Sequence, residues 1–185
     1  ASGPDNIPSR ILKTCAHAIA PSLAAIYNTS IETGELPADW RTANISSVFK
    51  KGDRHKADNY RPISLTSVAC KLLEHVICRH LHNHFDKYKV LSDRNHGFRS
   101  GHSCETQLLT TMQDIYSSFD AGRQTDVIIL DFSRAFDTVP HDKLLHKLEH
   151  YGVRGSIHKW LSSFLSQRNM RVVLEGVSSQ EVPVE

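Results

Sequence analysis

The segment of this sequence most able to do chemistry is Leu130-Asp131-Phe132-Ser133-Arg134-Ala135-Phe136-Asp137-Thr138-Val139-Pro140-His141. Asp131 closes the nearly all-apolar run Asp126-Val127-Ile128-Ile129-Leu130-Asp131, which reads as a buried strand bounded by aspartates. A carboxylate at the end of such a strand is costly unless something compensates it, and a divalent cation is the usual compensation. Asp137, just ahead of Pro140, reads better as a turn or cap residue. For Asp131 the local pattern leaves both roles open, and one carboxylate does not make a magnesium site. The second group with chemical potential is cationic. Between positions 41 and 61 stand Arg41, Lys50, Lys51, Arg54, Lys56 and Arg61, against only Asp53 and Asp58. Residues 1–100 hold 14 Lys/Arg and 9 Asp/Glu, whereas residues 101–185 hold 8 and 11. A basic front and an acidic rear suit a polyanion held by one part and carboxylates on a metal in the other. By charge alone, an unevenly solvated surface explains them as well.

Histidine is abundant, and His80/His84 and His146/His150 are spaced four apart, as are Cys78 and His82. A zinc protease motif would need a glutamate beside the first histidine, and none is there. A closed zinc site needs four ligands at tight spacing, so these pairs argue against structural zinc. The four cysteines (Cys15, Cys70, Cys78 and Cys104) form no CxxC pair and suit reduced thiols of a cytosolic or nuclear protein. No apolar run approaches the roughly 20 residues that span a bilayer, and no basic-then-apolar leader opens the chain.

The elements that must position these residues are mixed α and β. Pro8 is placed to start a helix carrying Ile11, Leu12 and Cys15. A second helix is expected from Pro21 to about Thr33, stopped by Gly34. Ala43 to Lys50 reads as a strand, Lys51 to Arg54 as a turn, and Tyr60 to Ile63 as extended chain. Thr66 or Ser67 caps a helix whose Val68, Leu72, Leu73, Val76, Ile77, Leu81 and Phe85 predict one buried face. Further helices are expected over about 104–119, from Pro140 to Gly152, and over about 157–165. The tail, Met170 to Leu174 and then Glu181 to Val184, reads as a hairpin.

The motif at Asp131 resembles the first catalytic motif of reverse transcriptases from non-LTR (LINE-type) retrotransposons. Other blocks resemble the same family in the same order. They are Gly3-Pro4-Asp5-Asn6-Ile7-Pro8, Asp39-Trp40-Arg41, Phe49-Lys50-Lys51-Gly52-Asp53 and Asn59-Tyr60-Arg61-Pro62-Ile63-Ser64-Leu65, followed by His96-Gly97-Phe98-Arg99, Ser103-Cys104-Glu105-Thr106, Tyr151-Gly152-Val153 and Phe164-Leu165-Ser166-Gln167-Arg168. The chain departs from the family's pattern at Asn6, where glycine is usual, and at Asn95, where glutamine is common.

The resemblance implies an α+β fold: the fingers of a right-hand polymerase (1–120) and the first part of its palm (121–185), an incomplete antiparallel sheet backed by helices. It implies transfer of a nucleotidyl group from a dNTP to the 3′ hydroxyl of a DNA primer on an RNA template, using two magnesium ions, for which manganese can substitute. Asp131 and the backbone carbonyl of Phe132 would be metal ligands, and Asp131 the catalytic carboxylate. Lys50 or Lys51, with Arg61, would reach the triphosphate. Phe136 would sit beneath the incoming sugar and exclude a 2′ hydroxyl. Arg54 and Arg99 would hold nucleic-acid backbone. The resemblance also implies a cytoplasmic or nuclear ribonucleoprotein without membrane attachment. The family's Pro-Gln-Gly block and Tyr-Ala-Asp-Asp turn are not in the sequence, so residues 1–185 alone are expected to be inactive as a polymerase. The alternative is a non-catalytic remnant that binds nucleic acid.

Overall fold

A computed structural model describes residues 2–133 and 135–184; Ala1, Glu185 and Arg134 of the aspartate-bearing motif lie outside them. The elements run α1 (Ser9–Thr14), α2 (Ala16–Thr33), β1 (Thr42–Phe49), β2 (Tyr60–Leu65), α3 (Val68–Lys87), α4 (Cys104–Asp120), α5 (His141–His150), α6 (Gly155–Leu165), β3 (Asn169–Leu174), β4 (Val177–Ser178) and β5 (Val182–Pro183). Among the described residues this is an α+β chain of six α-helices and one five-stranded sheet. It divides into two compact units, Ala1–Leu81 with Pro140–Glu185, and His82–Val139. No described helix is long and apolar enough to cross a membrane.

The first unit is built on α3. Ser67, fully buried, accepts the Cys70 N–H at 3.3 Å and so caps the helix. Ala69, Cys70, Leu73 and Ile77 are buried and pack with Leu36, Trp40 and Trp160. Leu72 and Val76, expected on the same face, are instead exposed. They form the adjacent i, i+4 row, and the neighbours in this unit fill only the groove beside Leu73 and Ile77. Tyr27 of α2 donates its hydroxyl to the Ala69 carbonyl at 2.7 Å. The Cys70 thiol lies 3.3 Å from Glu74 Oε1; burial, and then that carboxylate, push it up to about 12. At the chain start Gly3 is buried, and a Cβ there would stand 2.5 Å from the Thr66 carbonyl, so only glycine lets the Gly-Pro-Asp opening lie against the α3 cap.

The helix expected from Pro21 begins at Ala16, so Pro21 lies inside it. Only the hydrogen bond to the His17 carbonyl is lost, and His17 is exposed, where water can replace it.

β1 is the centre of the sheet. It pairs antiparallel with β2, from Asn44↔Leu65 to Phe49↔Tyr60, and parallel with β3, from Thr42↔Asn169 to Ile45↔Val172. The expected tail pairing is present as β3 with β5, antiparallel at Asn169↔Pro183 and Met170↔Val182, and β4, which was not expected as a strand, also pairs with β3 at Leu174↔Val177. The sheet is therefore mixed, not antiparallel throughout. The guanidinium of Arg41 fixes the parallel entry, donating to the Ser163 hydroxyl at 3.0 Å and to the Ser163 carbonyl at 3.4 Å.

In the second unit α4 starts at a capping box in which Ser103 and Thr106 each bond the other's backbone N–H. None of its residues is buried, and Leu108, Leu109, Met112, Tyr116 and Phe119 are exposed. The run 126–131, expected as a buried strand, belongs to no strand, and Ile128, Ile129 and Leu130 are 80% or more exposed. An apolar strand holds its place only when sheet partners take its backbone groups and packed layers cover its faces. Among the described residues no strand pairs with it.

Truncating Leu73 to alanine is expected to cost about 3 kcal/mol, within the usual range for buried leucine, whereas Leu72→Ala should cost below about 1 kcal/mol. Urea unfolding followed by circular dichroism checks both; equal losses would contradict the assigned core face.

Candidate functional site

The cationic residues of the first unit are organised by the β1–β2 hairpin. The ladder continues one step past Phe49↔Tyr60, because the Lys50 N–H donates to the Asn59 carbonyl at 2.9 Å. Val48 stands opposite Arg61. Alternate residues of a strand share a face, and so do residues directly opposite each other. Lys50 and Arg61 therefore lie on one face of the hairpin, and Asn59 stands opposite Lys50. Lys51 is exposed in the turn beyond the ladder.

Phe49 and Tyr60 occupy the other face, packed edge-on with ring centroids 5.5 Å apart. The Arg54 guanidinium lies 5.0 Å from the Phe49 ring centroid, a cation–π contact, and the Arg54 carbonyl accepts the Tyr60 hydroxyl at 2.9 Å. The loop thus divides its charge: Lys50 and Arg61 on one face, Arg54 pinned over the aromatic pair on the other.

In the second unit Asp131 and Phe132 are exposed, on chain without regular structure. Desolvation at a strand end, the local reason for expecting a cation at Asp131, does not operate there. Among the described residues no three His, Cys, Asp or Glu side chains come together as a metal site. Magnesium takes six oxygen ligands and commonly keeps several waters, binding protein through one or two carboxylates. Asp131 and the Phe132 carbonyl would supply part of such a set but do not complete one.

Phe136 is 76% exposed, and its ring meets Phe98 edge-on, with centroids 5.7 Å apart and planes at 87°. The structure thus joins the His96–Arg99 block to the Asp131 motif. Phe98, at φ 57°, holds a backbone conformation uncommon for a bulky residue. Its membership of the His96-Gly97-Phe98-Arg99 block marked the residue, but nothing in the sequence assigned it a role. Arg99 is committed to its own loop. Its side chain is 15% exposed, donates to the Ser92 carbonyl at 3.0 Å and to Asp86 Oδ1 at 3.2 Å, and lies 3.8 Å from Asp93. The geometry supports a positioning role for Arg99 and lends none to a contact with nucleic-acid backbone.

The sequence profile of the family "Reverse transcriptase (RNA-dependent DNA polymerase)" matches residues 48–183. The chain is 32% identical over 177 residues to the "Probable RNA-directed DNA polymerase from transposon BS" of Drosophila melanogaster, covering 92% of this chain and 19% of that protein. It is 28% identical over 185 residues to the "RNA-directed DNA polymerase from mobile element jockey" of the same organism, covering 100% of this chain and 20% of that protein. To the "Putative 115 kDa protein in type-1 retrotransposable element R1DM", also of Drosophila melanogaster, it is 30% identical, over 98% of this chain and 17% of that protein. The chain thus spans about a fifth of the length of the relatives it matches.

Replacing Arg99 with alanine should speed amide exchange between residues 86 and 99 by about fivefold or more while leaving the β1–β2 ladder unchanged. Hydrogen-exchange mass spectrometry on the whole chain makes the comparison, and unchanged protection of that loop would show that Arg99 does not hold it.

Proposed function

Because this chain belongs to the reverse transcriptase (RNA-dependent DNA polymerase) family, in the branch of non-LTR retrotransposons, we propose that it is the fingers and first palm portion of a longer RNA-directed DNA polymerase. The fingers take residues 1–120 and the palm begins at 121. The reaction is transfer of a nucleotidyl group from a dNTP to a primer 3′ hydroxyl on an RNA template.

The observation that carries this reading is the shared hairpin face of Lys50 and Arg61. A point cation and a forked guanidinium held on one rigid face are the donors a triphosphate needs, because negative charge grows on its oxygens as the phosphoryl group transfers. In this assignment Lys50, not Lys51, is the partner of Arg61 on the triphosphate. Arg54, on the opposite face, contacts nucleic-acid backbone. Phe136, its ring held edge-on by Phe98, lies beneath the sugar and excludes a 2′ hydroxyl. Asp131 is the carboxylate this chain offers to a divalent cation, with the Phe132 carbonyl beside it. Magnesium, when bound, would stabilise the attacking and leaving oxygens. Polymerisation is then a property of the longer protein, in keeping with the fifth of its relatives' length that this chain spans.

A second reading, a nucleic-acid-binding element without catalysis, is favoured by one observation. The cationic hairpin is complete within its own unit, whereas among the described residues no group of three or more His, Cys, Asp or Glu side chains gathers at Asp131.

Two measurements test these assignments. The 185-residue chain should bind single-stranded RNA with an affinity that falls with salt, at a log–log slope of about −2 for some three phosphate-neutralising cations. A flat dependence would remove the phosphate contacts from the account. In the longer polymerase carrying this segment, Asp131→Asn should abolish primer extension and leave RNA affinity within about twofold. Loss of both together would make Asp131 a structural residue, and retained extension would leave the non-catalytic reading for this chain.

A further inference from the structure

We infer that Asn59 is a positioning residue that sets the spacing of the Lys50–Arg61 cation pair, an inference that rests on the triphosphate assignment above. Asn59 is half-buried and uncharged, yet three of the bonds that shape the loop pass through it. Its carbonyl takes the Lys50 N–H at 2.9 Å, its own N–H reaches the Lys56 carbonyl at 3.1 Å, and its side-chain amide donates to the Asp53 carbonyl at 2.8 Å. The first of these fixes the backbone of Lys50. The third crosses the loop and ties Asp53 to the strand that carries Arg61. Asp53 is in turn the turn's hub: its carboxylate accepts the His55 N–H at 2.9 Å, and its carbonyl also accepts the Lys56 N–H at 3.2 Å.

Gly52 adds an independent observation. At φ 88° it takes a left-handed conformation, and a Cβ built on it would lie 2.9 Å from Asn59 Nδ2. The turn is closed so tightly over the Asn59 amide that one methyl group would displace it. Without that amide the ten-residue loop would keep its cations but lose the crosslink that holds Lys50 and Arg61 at one separation. A multidentate anion would then have to order them as it binds, which weakens binding without removing any charge.

The test uses the whole 185-residue chain and inorganic tripolyphosphate as probe, titrated calorimetrically at several salt concentrations. Lys50→Gln should weaken binding and flatten its salt dependence, because one cation is gone. Asn59→Ala should weaken binding by about fivefold, as the loss of one intramolecular hydrogen bond implies, while the steepness of the salt dependence stays that of the unmodified chain. Gly52→Ala, which keeps Asn59 but pushes its amide aside and also strains a left-handed turn, should weaken binding at least as much, with the salt dependence again unchanged. It serves as the second variant if Asn59→Ala fails to fold. Unchanged affinity in Asn59→Ala or Gly52→Ala, with Lys50→Gln weakened, overturns the positioning role and leaves the triphosphate assignment standing. If the unmodified chain ignores tripolyphosphate, or Lys50→Gln and Arg61→Gln bind it normally, the triphosphate assignment fails and the role of Asn59 with it.

Discussion

Burying an indole means finding an acceptor for its N–H, and much of the first unit follows from how that requirement is met. Trp160 is 1% exposed, and its Nε1–H donates to the hydroxyl of Ser30 at 3.0 Å. Ser30 is itself buried and donates its own hydroxyl hydrogen bond to the Glu35 carbonyl. An unpaired donor at that depth would cost about 1–3 kcal/mol, so the relay fixes α6 against α2 in one orientation. Tyr27, one turn before Ser30, then fixes α2 on α3 through the Ala69 carbonyl. With three helices set, Trp40 and Leu36 complete the core, and the chain leaves it directly into β1. The cationic hairpin is the far end of that strand. Its geometry is inherited from a tryptophan more than a hundred residues away in sequence.

Elements whose signals are local were legible in the sequence. Helices α3 to α6 announce themselves by apolar residues at three- and four-residue steps, with Thr66 or Ser67 ahead of α3 and Pro140 and Gly152 at the ends of α5. β1 and the extended segment after it were legible for the same reason. The parallel pairing of β1 with β3 was not, because no local pattern records which distant strand will lie alongside. The run 126–131 misled for a related reason: apolar composition states what a segment would do if covered, and covering is a property of its partners. Leu72 and Val76 carry the same lesson at the scale of a helix face.

The site residues divide along the same line. Resemblance to the family's ordered motifs pointed to Lys50, Arg61 and Phe136, and settled on Asp131, which the local pattern had left open. What distinguishes Lys50 from Lys51 is strand register, and what commits Arg99 to Asp86 and Ser92 is loop closure; neither has a signature in residue type. Asn59 and Phe98 were named only as members of resembling blocks and given no role, because each acts on a neighbour. An amide that holds a turn, and a ring that meets another ring edge-on, look in sequence like any asparagine and any phenylalanine.

The parallel partnership of β1 and β3 also sets a clock. Asn44, on β1, and Arg171, on β3, are bonded at 2.8 Å across 127 residues of chain. At ribosomal speeds of roughly 5–20 residues per second, β1 emerges on the order of ten seconds before its partner exists. Trp160 is equally late for Ser30. Through that interval the β1–β2 hairpin stands with one edge open, and α2 and α3 have only part of their core. The unit that carries the cations therefore cannot fold in the order it is made. It must wait for residues 140–184 to arrive and close around what was synthesised first, so its exposure to mispairing is governed by translation rate as well as by stability.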